Sequence, residues 1–337
     1  MKIAVVGARG TLGSALRKYW NSAAVRDKSP MLADAADDEL APLDLPEFDV
    51  TSRRFTLDTL SEIAPDVIIN GSGLHFFDWV EAHPNTARTV HVQGAANLRE
   101  AARRTGALLV HLGCAEIFSP ETADSSAQNG DGGESNAVSL PPWREEDAPN
   151  PLSILAKTKL DAERAVAEAP RFLIVRTSTL FGDLGEQSAG NLADTILKSS
   201  RRTESLKVIR DIRVSPTYTL DLVRALRCLV QTGATGVYHV ANAQTATLAE
   251  FASHLLKTCG LSRHKIVGIT SSEYGGAAPR STDTTLDTSK YRRLPDACTL
   301  PDWHEAVREF IARRQEGGWG KIENTGPRMP MGIWGKN

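Results

Sequence analysis

The chain has 337 residues, 41% of them hydrophobic and 24% charged, with 39 basic against 41 acidic side chains. So even a balance excludes a nucleic-acid or anionic-membrane surface as the expected partner, and no apolar run approaches the roughly 20 residues of a membrane span. The length admits one large domain, or a core domain with a smaller companion.

The opening stretch MKIAVVG is short, apolar and ended by glycine. It reads as a buried strand over Lys2–Val6, not as a signal peptide. Further strands are expected at Asp66–Asn70, Ala107–Leu112 and Phe172–Arg176, each rich in Val, Ile or Leu without alternation, as strands covered on both faces are. Helical patterns lie between them at Leu12–Trp20, Asn85–Arg104 and Ser153–Ala167. Strand-helix repetition of this kind predicts an α/β fold, a Rossmann-type doubly wound parallel sheet.

Residues 21–39 and 119–142 are polar, and both read as mobile loops. Past Gly182 the regularity fades into LKVIRD, GVYHVAN, a helix from Thr247 and another from Pro301. The expected division is therefore a dinucleotide-binding domain over 1–182, a smaller, mostly substrate-binding domain over 183–315, and a tail over 316–337. The tail carries Trp319 and Trp334, which suit either a disordered end or a segment docking on a second copy or a partner protein. Cys114, Cys228, Cys259 and Cys298 are scattered. They read as reduced thiols of a cytoplasmic protein with no metal site.

VVGARGTLG places Gly7, Gly10 and Gly13 between the first strand and the first helix. Glycines there permit a tight turn and close approach of a pyrophosphate, which the helix N-terminus attracts. Arg9, Thr11 and Leu12 fill the loop. The expected cofactor is NAD(P)(H). A carboxylate ending the second strand would bind ribose hydroxyls; Asp44 is the candidate and Asp34 the alternative. Arg9 argues the other way, since a cation there can reach a 2′-phosphate. Asp49 and Val50 follow an expected third strand and flank the adenine.

The blocks PEFDVTS, APDVIINGSG, NPLSILAKTKLDAE, IVRTSTLFG, SPTYTLDL, GVYHVAN and LDTSKYRRLP…LPDWHEAV stand in order along residues 1–315. Together they resemble the dTDP-4-dehydrorhamnose reductase family, a branch of the extended short-chain dehydrogenases. They are also similar to the regulatory β subunit of methionine adenosyltransferase, which binds NADP. The resemblance implies cofactor contacts from Asn70, Gly71 and Ser72 after a fourth strand and from Arg176, Thr177 and Ser178 after a sixth. It also implies reduction of a 4-keto sugar nucleotide, with Tyr218 in the wall of the substrate pocket.

The family's catalytic tyrosine sits four residues before its lysine. Here the lysine is Lys159 and position 155 is Leu155. Cys114 takes the place of a threonine in HLGCAEIF. Two side chains could replace the lost acid, Glu116 or His75, the latter in a loop expected to border the nicotinamide; Cys114 could hydrogen-bond weakly there but reads more readily as a small buried hydrophobe. His111, inside a strand, reads as a core residue. An atypical oxidoreductase, a catalytically inactive cofactor-binding regulatory or scaffold subunit, and a non-redox sugar-nucleotide enzyme using Glu116 all remain open.

Overall fold

Successive strand residues face opposite sides of a sheet, so an apolar run without alternation has to be covered twice. The computed structural model, which describes residues 1–27, 30–33, 35–120, 140–183, 190–295 and 297–316, meets that demand. From β1 (Lys2–Val6), Ile3 and Val5 enter one core with Leu12 and Leu16 of α1 (Thr11–Tyr19). Ala4 and Val6 enter another with Leu57, Leu60 and Leu98. The main sheet runs Gly236–His239, β5 (Phe172–Thr177), β4 (Leu108–Cys114), β3 (Val67–Asn70), β1, β2 (Glu39–Leu43). Every pairing in it is parallel. Strand order reverses between β1 and β3, and ligands of such sheets bind at the carboxyl ends of the strands where it does.

Several expectations change. Residues 44–52 form turns and no strand, so the expected fourth strand is the third. Asn70 is the last residue of β3 and Arg176 lies inside β5. The sixth strand of the sheet, Gly236–His239, comes from the half of the chain assigned to the smaller domain. Described residues of the polar stretch 21–39 are anchored: Val25 and Leu32 are fully buried, Trp20 Nε1 donates to Asp38 at 2.8 Å, and Arg224 Nε donates to the Ala24 carbonyl at 2.9 Å. Of the second stretch, 121–139 lie outside the described residues, as do Asp34 and tail residues 317–337.

Beyond the sheet, Ser205–Ile209 pairs in parallel with Lys265–Ile269. The Leu248–Thr258 helix starts at a capping box of Thr247 and Glu250, which satisfies two N-terminal N–H groups. Tyr218, expected at a pocket wall, is 1% exposed and packs on Phe181 and Phe310. No helix among the described residues is long and apolar enough to cross a membrane.

Cys228 and Cys298, 70 residues apart in sequence, form a disulfide, which corrects the reading of both as reduced thiols. Closing a loop of that length restricts the unfolded chain, so reduction is expected to cost about 2–4 kcal/mol. A urea midpoint that drops on adding dithiothreitol checks this; an unchanged midpoint would show that the pair adds nothing.

Candidate active site

The turn after β1 is built from contacts only glycine permits. Gly7 has φ +78°, and a Cβ there would lie 2.7 Å from the Ser72 nitrogen and 2.8 Å from the Gly71 carbonyl carbon. A Cβ on Gly13 would lie 2.1 Å from the Gly7 oxygen. The loops after β1 and β3 therefore touch, with the Gly71 N–H bonded to the Val6 carbonyl at 2.9 Å. Gly10 caps α1 without a side-chain hydrogen bond, which leaves the positive end of the helix to a ligand. Thr11 opens α1 and Leu12 anchors it in the core at 3% exposure. Ser14 Oγ is buried without a hydrogen-bond partner.

Asp44 directly follows β2. Its carboxylate accepts the Arg9 N–H at 2.7 Å and the Leu45 N–H at 2.8 Å. The Arg9 guanidinium lies over the same strand end, 2.5 Å from the Leu45 carbonyl and 3.1 Å from Glu47, so anionic and cationic groups share this corner. Asp49 accepts from the Thr51 N–H at 2.9 Å and hydroxyl at 2.7 Å. Val50 packs at the position of Gly94, and its carbonyl accepts from Asn97 at 2.9 Å. Asn70 Oδ1 fixes Ser72 through its N–H at 3.1 Å and hydroxyl at 2.6 Å. These groups fit a dinucleotide: a glycine cradle that any Cβ would fill, an uncapped helix end, an unpaired hydroxyl and a carboxylate at the end of β2.

Lys159 and Leu155 stand one turn apart on the Ile154–Ala167 helix. This helix is capped by Ser153, whose hydroxyl accepts the Ala156 N–H at 3.1 Å. Lys159 is half-buried, and among the described residues it makes no hydrogen bond or ion pair. Desolvation lowers its pKa, against the pull of Cys114 and Glu163. Leu155 is 4% exposed and packs with Val80, Ala87, Leu74, Phe77 and Cys114. Cys114 faces that cluster and is pushed up to about 12 by burial, so it stays a thiol at neutral pH.

Glu116 sits on the single turn Ala115–Ile117 that ends β4. Burial raises its pKa to about 7, against the opposing pull of Arg280. Arg280 arrives from the other end of the chain. It is 3.4 Å from Asp78 and lies over the Phe77 and Tyr274 rings at 4.8 and 4.9 Å. His75 is exposed as a residue, yet its ring is crowded against Phe76 at 4.1 Å. Desolvation and the Lys159 ammonium lower its pKa to about 4, so at neutral pH the ring is uncharged and a poor acid.

Arg176, expected at the cofactor, turns its guanidinium elsewhere. It pairs with buried Glu163 at 2.9 Å and reaches the Glu145 carbonyl at 3.3 Å. Gly113 makes room for that pair, because a Cβ there would lie 2.3 Å from Glu163 Oε1. Thr177 is buried with its hydroxyl unpaired. Ser178 Oγ accepts the Ser215 N–H at 3.2 Å and lies 3.3 Å from Thr284 Oγ1. His111 is buried and Asn70 donates to its Nδ1 at 3.0 Å. Sequence reasoning missed Arg280, a lone cation in an unpatterned stretch, and His91, which lies where the helical register slips.

The sheet, the glycine cradle and the lysine on the following helix define a short-chain dehydrogenase/reductase-type dinucleotide fold. A family model described as the RmlD substrate binding domain matches residues 1–316, and the chain belongs to that family. It is 28% identical over 315 residues to the spore coat polysaccharide biosynthesis protein SpsK of Bacillus subtilis, covering 93% of this chain and 98% of that one. To the dTDP-4-dehydrorhamnose reductase of Salmonella typhimurium it is 29% identical over 274 residues, 78% of this chain and 84% of that one. Among solved structures, the Bacillus anthracis dTDP-4-dehydrorhamnose reductase in complex with NADP superposes with a TM-score of 0.77 at 25% identity, over 93% of this chain and 99% of that one.

Proposed function

We propose that this chain binds NAD(P)(H) on the glycine cradle and reduces the keto group of a nucleotide-linked sugar, with Glu116 supplying the proton. The observation that carries this reading is the position of Glu116. It ends β4, two residues past the Cys114 that packs on Leu155, with burial holding its carboxyl near neutrality. The bound dinucleotide would supply hydride to the carbonyl carbon. Glu116 gives its proton to the carbonyl oxygen and regains one from water. Lys159 binds the nicotinamide ribose, and Arg280 supplies positive charge beside the acid. Relatives named dTDP-4-dehydrorhamnose reductase, one of them solved with NADP, support both substrate class and cofactor. The reading includes a substrate lobe formed mainly by the chain beyond Gly182, and a cytoplasmic location.

The burial of Leu155 in an apolar cluster favours a second reading, a cofactor-binding regulatory subunit without turnover. One experiment separates the two. Wild type and Leu155→Tyr are mixed with NADPH or NADH and a 4-keto dTDP sugar, and nicotinamide absorbance is followed. The reductase reading expects wild-type turnover; turnover only in Leu155→Tyr would establish the lapsed binder. If neither cofactor stabilises the protein in a thermal melt, both readings fail, since a ligand at 100 times its Kd should add about 2.7 kcal/mol.

A further inference from the structure

Thr89–Gln93 is a π-helical segment between the helices Pro84–Arg88 and Gly94–Thr105. Such segments shift the helical register and recur at functional sites. This one delivers His91, 3% exposed, into the gap between two parts of the site. On one side, the Leu74 N–H donates to His91 Nε2 at 2.9 Å. On the other, Nδ1 lies 2.8 Å from Thr158 Oγ1. The Thr158 hydroxyl itself faces the Ile154 carbonyl at 2.8 Å and the Leu155 carbonyl at 3.1 Å.

These partners fix the ring's protonation. A backbone N–H only donates, so Nε2 accepts. A hydroxyl whose proton goes to a carbonyl is left to accept, so Nδ1 carries the ring proton. The Leu74 carbonyl, 3.2 Å from Nε2, is then a neighbour and not a partner. Desolvation, Lys159 and His111 lower the pKa of His91 to about 3, so the neutral ring persists across the working range. Gly73 completes the arrangement at φ +153°. A Cβ there would lie 2.7 Å from Lys159 Nζ and 3.5 Å from the His91 ring.

We infer that His91 is a positioning residue that clamps the Gly71–His75 loop onto the Lys159 helix and so fixes the gap into which the lysine ammonium projects. This role rests on the reading of Lys159 as a cofactor ligand. The two halves of the cofactor site, the loop after β3 and the Ile154–Ala167 helix, are joined through one imidazole. Glycine at 73 lets them close.

The test uses the full chain as wild type, His91→Ala and His91→Gln, with three readouts. Amide hydrogen exchange is followed over residues 71–76 and over β4. The pH midpoint of Lys159 acylation by acetic anhydride is read from the labelled peptide. NADPH and NADH affinity is titrated by fluorescence. Alanine is expected to speed exchange at Leu74 roughly tenfold, the loss of about one hydrogen bond, with β4 unchanged. It is also expected to move the Lys159 midpoint up towards an ordinary lysine as water enters, and to weaken cofactor binding roughly tenfold. Glutamine, with one acceptor and one donor, is expected to recover part of each effect, and it carries the test if the alanine variant does not fold. Unchanged exchange at 71–76 with an unchanged Lys159 midpoint would overturn the inference. So would a uniform rise in exchange across the sheet, the mark of a merely structural role. If wild type binds neither cofactor, the function proposed above fails, while exchange and labelling still decide whether His91 joins loop to helix.

Discussion

Glu116→Gln is expected to lower the rate of ketone reduction by about 10²–10⁴, the usual contribution of a general acid, while cofactor affinity stays within error. Glutamine keeps the shape of the side chain and removes the transferable proton. The stability effect has the opposite sign. Burial raises the folded pKa of this carboxyl from 4.5 to about 7. The folded state therefore holds its proton more tightly than the unfolded state, and that contribution is lost as pH rises from about 4.5 through 7. At pH 8 the wild type carries a desolvated carboxylate that Glu116→Gln lacks, so the variant is expected to melt higher there and to lose the advantage near pH 4. A variant that is slower but more stable at alkaline pH would identify a group kept for chemistry. Unchanged rates would return the proton donor to another residue.

Gly13→Val carries the second large effect. A Cβ at this position would lie 2.1 Å from the Gly7 oxygen and 2.6 Å from the Ala8 Cα. Both are backbone atoms of the turn itself, so the turn has to move. Overpacking of this kind costs about 1–3 kcal/mol, and the displaced amides no longer meet a phosphate. NADPH and NADH binding is expected to weaken by roughly 10- to 100-fold or more, as read by fluorescence titration. Gly106→Ala is the matched control. Gly106 has φ +76° with nothing within 4 Å of its would-be Cβ, and it closes the Gly94–Thr105 helix just before β4, at the amino ends of the strands and away from the glycine cradle. That variant is expected to lose about 1 kcal/mol of stability from backbone strain alone and to keep its cofactor affinity.

What could be read from the sequence followed from local geometry. Gly7 and Gly13 announce themselves because a close backbone approach admits no other residue. Asp44 is one of two carboxylates, with Asp34, that the sequence offers for the end of the second strand, and Lys159 lies within an ordered block of motifs. Leu155 is legible as a departure for the same reason. The remaining features depend on contacts that no local pattern encodes. Val25 and Leu32 are apolar residues in a polar stretch, and only the core they share with α1 and the Thr219–Gln231 helix shows that they are buried. Gly236–His239 reads as an irregular late strand until β5 pairs with it. Cys228 and Cys298 lie 70 residues apart. Arg280 meets Asp78 across about two hundred residues of chain. His91 is hidden because the π-segment breaks the period by which a helix face is recognised. In each case the residue type gave the possibility, and the fold chose the partner.

Local pairing and burial narrow the chemistry open to these side chains. Arg176 pairs with Glu163 beneath the Ile154–Ala167 helix, which leaves Lys159 as the cation facing the cleft from that helix. His75 and Cys114 are held in forms that do not release a proton near neutrality. Of these side chains, burial moves the Glu116 carboxyl up to about 7, into the range where a general acid is useful.

The most direct test is a single-turnover pH profile of hydride transfer from NADPH to a 4-keto dTDP sugar, for wild type and Glu116→Gln between pH 5 and 9. The account predicts a wild-type rate that is high in acid and falls through a midpoint near pH 7, and a slow, flat profile in the variant. A wild-type rate that ignores pH across this range, or a Glu116→Gln profile that keeps the same midpoint, would contradict it.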